Sequence, residues 1–393
     1  MILFDNNKRT DFGSKLFEEP SFRYLNRSSR PEAYRIRKVV EDWFIKYPDE
    51  HKLDLRGRIR SGDDYNHLSA FFELFLHNLH SLMGCKVQIH PMLSHTTRRP
   101  DFLITDQSGF QYYLEAKVVM GETVKKSKDR ARIYQMLDRV NEGITASEFS
   151  VGVVIKKWPQ QSLPSKEIIQ FLKKEFGEKK INDISKNNES PLQTINWENS
   201  DSILAFHLIP KLKEKIDENK NLKSIIFSSE PVEMFNTSGD IRKSIKEKCS
   251  RYGKIDKPYV IAINSMMISV NMETLMEALF GDDEFTINLS DQDSFVESVR
   301  TKNNGAWGII QQNPNNTRNS AIFFTKRLSP WNLSNNSEMI IHNPWASKVY
   351  NSVLNMFPQI HINNSFIEKK PGESINNLFT LPVGWPEVES DFD

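Results

Sequence analysis

The chain has 393 residues, a formal net charge of +1, 38% hydrophobic and 26% charged residues, an ordinary globular composition with length for two or three domains. Near-neutrality gives no global pull toward nucleic acid or membrane, no apolar run approaches the ~20 residues of a bilayer span, and Met1 to Thr10 lacks the apolar stretch of a secretory signal. Cys85 and Cys249 are too few and too far apart for a disulfide framework or a cysteine zinc site, and we expect a cytoplasmic protein without membrane attachment.

Pro31 suits a first helical turn, and Ala33, Ile36, Val40, Trp43, Phe44 and Tyr47 recur at helical spacing, which predicts a helix over 31–47 ended by Pro48. A polar, basic connector carrying Arg56, Arg58 and Arg60 follows. A second helix is expected over 64–83, stopped by Gly84 as C-cap. Residues 86–93 and 99–105 read as strands, Asp106 to Gly109 as a turn, and 110–119 as a third strand rich in aromatic and β-branched residues. After Gly121 a Lys/Arg-rich stretch leads into a helix over 130–144, and 150–158 reads as a buried strand. Helix, three strands, helix, strand is the order of a mixed α/β layer, neither a bundle nor a sandwich.

Further on, helices are expected over 166–176, 239–251 and 272–280, and strands over 202–209, 224–228, 258–264 and 319–326. The Asn/Ser/Asp-rich stretch 180–200 reads as loop, and the acidic tail from Pro386 as frayed. This divides the chain into a helical segment 1–60 packed on a core of 61–160, with an α/β region of unassigned role over 161–393. Strands beyond 160 could equally extend the first sheet.

The chemistry concentrates in 68–117. If 99–105 pairs antiparallel with 110–119, Asp101 and Glu115 approach each other. The period of two puts Glu115 and Lys117 on one face of their strand and leaves Ala116 to contribute its carbonyl. Two carboxylates and a carbonyl make a hard, oxygen-only pocket suited to Mg²⁺, with Mn²⁺ as substitute. Lys117, a compact point charge, could orient a water. Glu73 falls at the edge of the apolar face made by Leu68, Phe71, Phe72, Phe75, Leu76, Leu79 and Leu82, where its carboxylate can point at a site beside the sheet. The surface-pair reading of these charges is weakened by a strand of Tyr, Leu and Val, where unpaired charge is costly.

The run FFEL, LMGCKV, RPDF and YYLEAK resembles the PD-(D/E)xK nuclease superfamily over roughly residues 60–160. The resemblance implies a restriction-endonuclease-like mixed sheet flanked by helices 64–83 and 130–144, and Mg²⁺-dependent hydrolysis of phosphodiester bonds. It implies metal ligation by Asp101, Glu115 and the Ala116 carbonyl, joined by Glu73 as the helical acid, with Lys117 completing the catalytic set. Exonuclease-like branches add a Gln-x-x-x-Tyr pair, but Gln135 is followed by Arg139, which points to endonucleolytic action. DNA is favoured over RNA as substrate, and the setting resembles bacterial restriction or anti-phage defence. A homodimer would suit double-strand cleavage, and a partner protein is the other arrangement considered. The rival reading is a nucleic-acid-binding or scaffolding protein that keeps the fold without turnover.

Candidates for phosphate contact are Arg98 and Arg99, then Lys125, Lys126, Lys128 and Arg132, with Gln135 on the same helix. The basic stretch 242–257, including Lys248 and Arg251, could extend that surface, although a solvated Lys/Glu helix is the simpler account. His77 and His80, at i+4 and i+7 from Glu73, allow a metal-binding helix, against the simpler role of a polar helix edge.

Overall fold

Two runs of β-branched and aromatic residues, 111–119 and 259–265, lie side by side and parallel at the centre of an eight-stranded mixed sheet. The computed structural model describes residues 1–121, 124–144, 149–177, 194–210, 225–229, 237–286, 298–301, 303–310, 313–334, 337–363, 366–382 and 384–387. The chain divides into one unit made of Met1–Asn7, Arg30–Gly121 and Asn236–Asp393, and another made of Lys8–Ser29 and Glu122–Phe235.

Labels are used for the first unit. Its helices α1 (Pro31–Lys46), α2 (Asp49–Ile59) and α3 (Asp64–Leu82) precede β1 (Lys86–Ile89), β2 (Phe102–Thr105) and β3 (Gln111–Val119). After the chain has built the second unit come α4 (Thr237–Cys249), β4 (Tyr259–Ser265), α5 (Met272–Phe280) and β5 (Ala321–Lys326). The elements β6 (Glu338–His342), β7 (Gln359–Asn363), β8 (Phe366–Lys370) and α6 (Ile375–Phe379) follow. The strands lie in the sheet in chain order, β1 to β8. The pairs β3/β4, β4/β5 and β6/β7 are parallel; the other four are antiparallel. Strands from the second half of the chain therefore extend the first sheet.

On one face of β3, Tyr113 and Val119 pack with Ile261 and Ile263 of β4 against Ile241, Ile245 and Cys249 of α4. On the other face Tyr112 meets His80 of α3. With both faces covered, β4 is buried at every residue, as expected of a parallel strand between helical layers.

Four expectations need correction. The connector 48–60 is mostly helix α2: Pro48 is its N-cap, acids open it and Arg56 and Arg58 close it, matching the helix dipole. Its buried stripe is only Lys52, Leu55 and Ile59, too thin to register as a period. The strand expected over 86–93 stops at Ile89, because His90 takes a left-handed φ of 47°. Part of the expected loop 180–200 is a strand, Thr194–Glu198. The helix and strand following β3, Val124–Gly143 and Phe149–Lys157, belong to the second unit, so the division falls near 121 and 235, not near 160.

In that second unit Phe149–Lys157 pairs antiparallel with Ile203–Pro210 and parallel with Ile225–Ser229, and Thr194–Glu198 lies outside Ile203–Pro210. Ile133 and Leu137 of the helix Val124–Gly143 share a core with Ile168, Val153 and Phe206. The tail beyond residue 387 lies outside the described residues. No helix among the described residues is long and apolar enough to cross a membrane.

His80 is fully buried, with Nδ1 2.7 Å from the Leu76 carbonyl and Nε2 2.8 Å from the Tyr112 hydroxyl. A carbonyl only accepts, so Nδ1 carries the proton and Nε2 receives Tyr112's. Burial pushes His80, and likewise His77, down to about 4. The unfolded chain therefore binds protons first as pH falls. Stability is complete above roughly pH 6.5 and declines toward pH 4, each histidine contributing on the order of 3 kcal/mol. Urea midpoints should fall over that interval, with a shallower slope in His80→Gln.

Candidate active site

The site begins where β2 parts from β3. The first residue of β2, Phe102, faces Leu114. From Glu115 to Val119 the described ladder of β3 runs only to β4. Tyr113 donates its N–H to Pro258 and Val119 accepts from Met266, so odd-numbered residues address the β4 side. Strand alternation then turns the N–H and carbonyl of Ala116 toward the edge that β2 has left. The Asp101 carboxylate occupies that edge, its Oδ2 accepting from the Ala116 N–H at 2.7 Å. The Asp101 N–H reaches Glu115 Oε2 at 3.3 Å. Asp101 and Glu115 thus converge.

Glu115 is entirely buried. Lys248 Nζ lies 2.5 Å and Arg251 Nη1 3.4 Å from its Oε1, and the Tyr252 hydroxyl lies 2.5 Å from Oε2. That hydroxyl is also 3.0 Å from the Arg99 carbonyl; its single proton has two acceptors, and the carboxylate is the nearer. These partners come from α4 and the turn after it. Ile241, Ile245 and Cys249, four residues apart, seat the helix on the sheet and bring Lys248 over Glu115.

Asp101 borders a cleft of about 370 Å³ that is also lined by Tyr65, Glu73, Ala116, Lys117 and Lys248. Its Oδ1 has no hydrogen bond to a described residue. Burial pushes the Asp101 carboxyl up, to about 8, with the charges of Glu115 and Glu73 adding and Lys248 and the Ala116 N–H opposing. Asp101 is only half-buried by surface area, its exposed fraction facing the cleft. Glu73, at the edge of the apolar face of α3, is gripped bidentately by Arg58 at 2.7 Å on each oxygen. Lys117 Nζ lies 3.4 Å from the Tyr65 hydroxyl and 5.9 Å from the centre of that ring.

The donor set fits a hard cation in part. Asp101 Oδ1 and the Ala116 carbonyl offer oxygens on the cleft edge. Glu115 lies beneath Lys248 and joins them only by exchanging that ammonium, and Glu73 is held by Arg58. Among the described residues no group of three or more His, Cys, Asp or Glu side chains is arranged to hold one metal ion. His77 and His80 are buried, so they form neither a polar edge nor an open metal site.

Of the expected phosphate contacts, Arg98 and Arg99 are exposed just ahead of Asp101, and Arg98 donates to the Arg251 carbonyl. The side chains of Lys125, Lys126 and Lys128 lie outside the described residues. Arg132 and Gln135 belong to the second unit, where Gln135 donates to Glu18 at 2.7 Å. Tyr65 and Tyr252 were not among the expected site residues, and Arg58, Lys248 and Arg251 were expected as surface features. The available signal was the basic run 242–257, adjoining a strand of the same character as β3. No family model, curated protein or solved structure matches the chain.

Removing Lys248 leaves a buried carboxylate short of its nearest counter-charge. Lys248→Met should cost about 3–5 kcal/mol, and adding Glu115→Gln should restore much of it. Chemical denaturation of the two single variants and the double variant measures the coupling; strictly additive losses would mean the two groups do not interact.

Proposed function

We propose that the β3 cleft hydrolyses phosphodiester bonds of DNA with a divalent cation, Mg²⁺ or Mn²⁺, as an endonuclease of the PD-(D/E)xK kind. The observation that carries this reading is the meeting of Asp101 and Glu115 where the sheet splits, with Lys117 on the wall of the same cleft. Asp101, the Ala116 carbonyl and Glu115 would hold the ion. When bound, the ion supplies charge that polarises the scissile phosphate and acidifies a water.

The protein's own groups do the rest. Lys117, anchored against Tyr65, positions the attacking water and faces the charge that develops on the phosphoryl oxygens. Arg251, half-exposed at the rim, attracts the phosphate backbone. Arg58 fixes Glu73, whose negative charge sits near Asp101 and strengthens the site's demand for a cation. A bacterial restriction or anti-phage role fits this chemistry by analogy of setting alone.

One observation favours a second reading, a nucleic-acid-binding protein without turnover: both Glu115 oxygens are already engaged, by Lys248 and Tyr252. Incubating the protein with plasmid, single-stranded DNA and RNA separates the two. The nuclease cleaves with Mg²⁺ or Mn²⁺ and stops with EDTA, and Asp101→Ala and Lys117→Ala each lower the rate at least about a hundredfold. Binding without cleavage, indifferent to EDTA, supports the second reading. Cleavage unaffected by either substitution removes these residues from the mechanism.

Asp101 must also shed its proton before it can take up a cation. Cleavage at subsaturating Mg²⁺ should therefore rise from pH 6 to about 8, the range to which burial moves that carboxyl, and level off above it. A rate flat across that range would exclude Asp101 as the titrating ligand.

A further inference from the structure

The first unit holds a second, larger cleft of about 920 Å³, lined by the carboxyl end of β6 and the loop after it, by β7 from its first residue Gln359, and by Lys370 of β8. The register Ile341↔Ile360 sets His342 beside His361. Their rings stack with centroids 4.2 Å apart and planes 6° from parallel. Tyr350 flanks His342 at 6.3 Å, and half-buried Trp345 stands in the wall formed by the loop leaving β6. The result is a cleft with flat aromatic sides.

Its polar atoms are incompletely paired. His361 Nε2 lies 3.1 Å from Gln359 Oε1. Among the described residues His342 Nε2 is buried without a partner. A neutral imidazole carries one proton, and with that proton on Nδ1 its Nε2 is a bare lone pair. Burial, with His361 and Lys370 adding, holds this imidazole down at about 4 and hence neutral. Asn355 donates its Nδ2 to Asn351 at 3.0 Å, and its Oδ1 is likewise buried and unpartnered. Two buried polar atoms without partners among the described residues of one cleft cost roughly 1–3 kcal/mol each until a partner arrives.

A transition metal does not answer this arrangement. Parallel rings 4.2 Å apart point their nitrogens side by side, not at a common centre. A flat ligand bearing N–H donors does answer it. Half-exposed Lys370, partnered only loosely by Glu368 at 3.6 Å, lies close enough to both histidines to lower their basicity and supplies a cation for an anionic tail.

We infer that this cleft binds a nucleotide whose base carries an exocyclic amine, the amine donating to Asn355 Oδ1 and His342 Nε2, the base against the aromatic wall and the phosphate toward Lys370. The inference does not depend on the nuclease reading, since none of these residues lines the β3 cleft.

Calorimetric titration of the full chain, followed also by tryptophan fluorescence, tests it with AMP, IMP, UMP, adenosine and inorganic phosphate. AMP should bind and quench fluorescence, while IMP and UMP, which lack the amine, should bind at least about tenfold more weakly. Lys370→Ala should weaken AMP and leave adenosine unchanged, and Asn355→Leu should erase the preference for AMP over IMP. The wild-type series decides the matter even if Asn355→Leu does not fold. The inference is overturned if no nucleotide binds at millimolar concentration, if AMP and IMP bind equally, or if inorganic phosphate alone binds as tightly as AMP.

Discussion

Where β2 separates from β3, the N–H and carbonyl of Ala116 lose the strand partner that Leu114 still has, and the Asp101 carboxylate takes its place. A backbone edge inside a protein has to be satisfied by something. Satisfying it with an acid draws negative charge into the sheet beside a second acid, Glu115. The surroundings answer that charge. Lys248, Arg251 and Tyr252 gather on Glu115, Arg58 holds Glu73, and Asp101, whose carboxylate accepts from the Ala116 N–H, keeps its proton to higher pH.

The same constraint decides the role of α4. A helix whose buried apolar positions are Ile241, Ile245 and Cys249 could pack on many apolar faces. Here it delivers an ammonium, and the turn after it a guanidinium, onto the one fully buried carboxylate of β3. Breaking such a pair is far more damaging than never having made it, so the pair specifies how the second half of the chain returns to the first. The parallel pairing of β3 with β4 supplies the rest of that specification. It needs a long crossover, and the second unit is made largely from the chain of that crossover.

Toward the other edge of the sheet another pair of neighbouring parallel strands, β6 and β7, lines a second cleft. There two stacked imidazoles stand beside amides and a tyrosine, with Lys370 as the cation. The first cleft is proposed to take a cation and phosphate, the second a planar ring bearing donors. One sheet thus carries two clefts of contrasting lining.

Local chemistry was enough to read much of the first unit from sequence. The helical period ending at Gly84, the turn from Asp106 to Gly109 and the alternation along 111–119 act over a few residues, and each stands in the structure close to where it is expected. The approach of Asp101 to Glu115 followed from a hairpin, a contact only fourteen residues apart, and the edge position of Glu73 from a helical wheel. Other features depended on partners distant in the chain: α2 through its thin buried stripe, β6 to β8 through their neighbours in the sheet, and the transfer of 124–157 to the second unit through its own core. Pleat and turn geometry act over a few residues, so the segment 99–119 alone set which acids and lysine lie within reach of one another. That Lys248 and Arg251 cover Glu115 came from long-range packing, because burial of a charge selects its partner from anywhere in the chain.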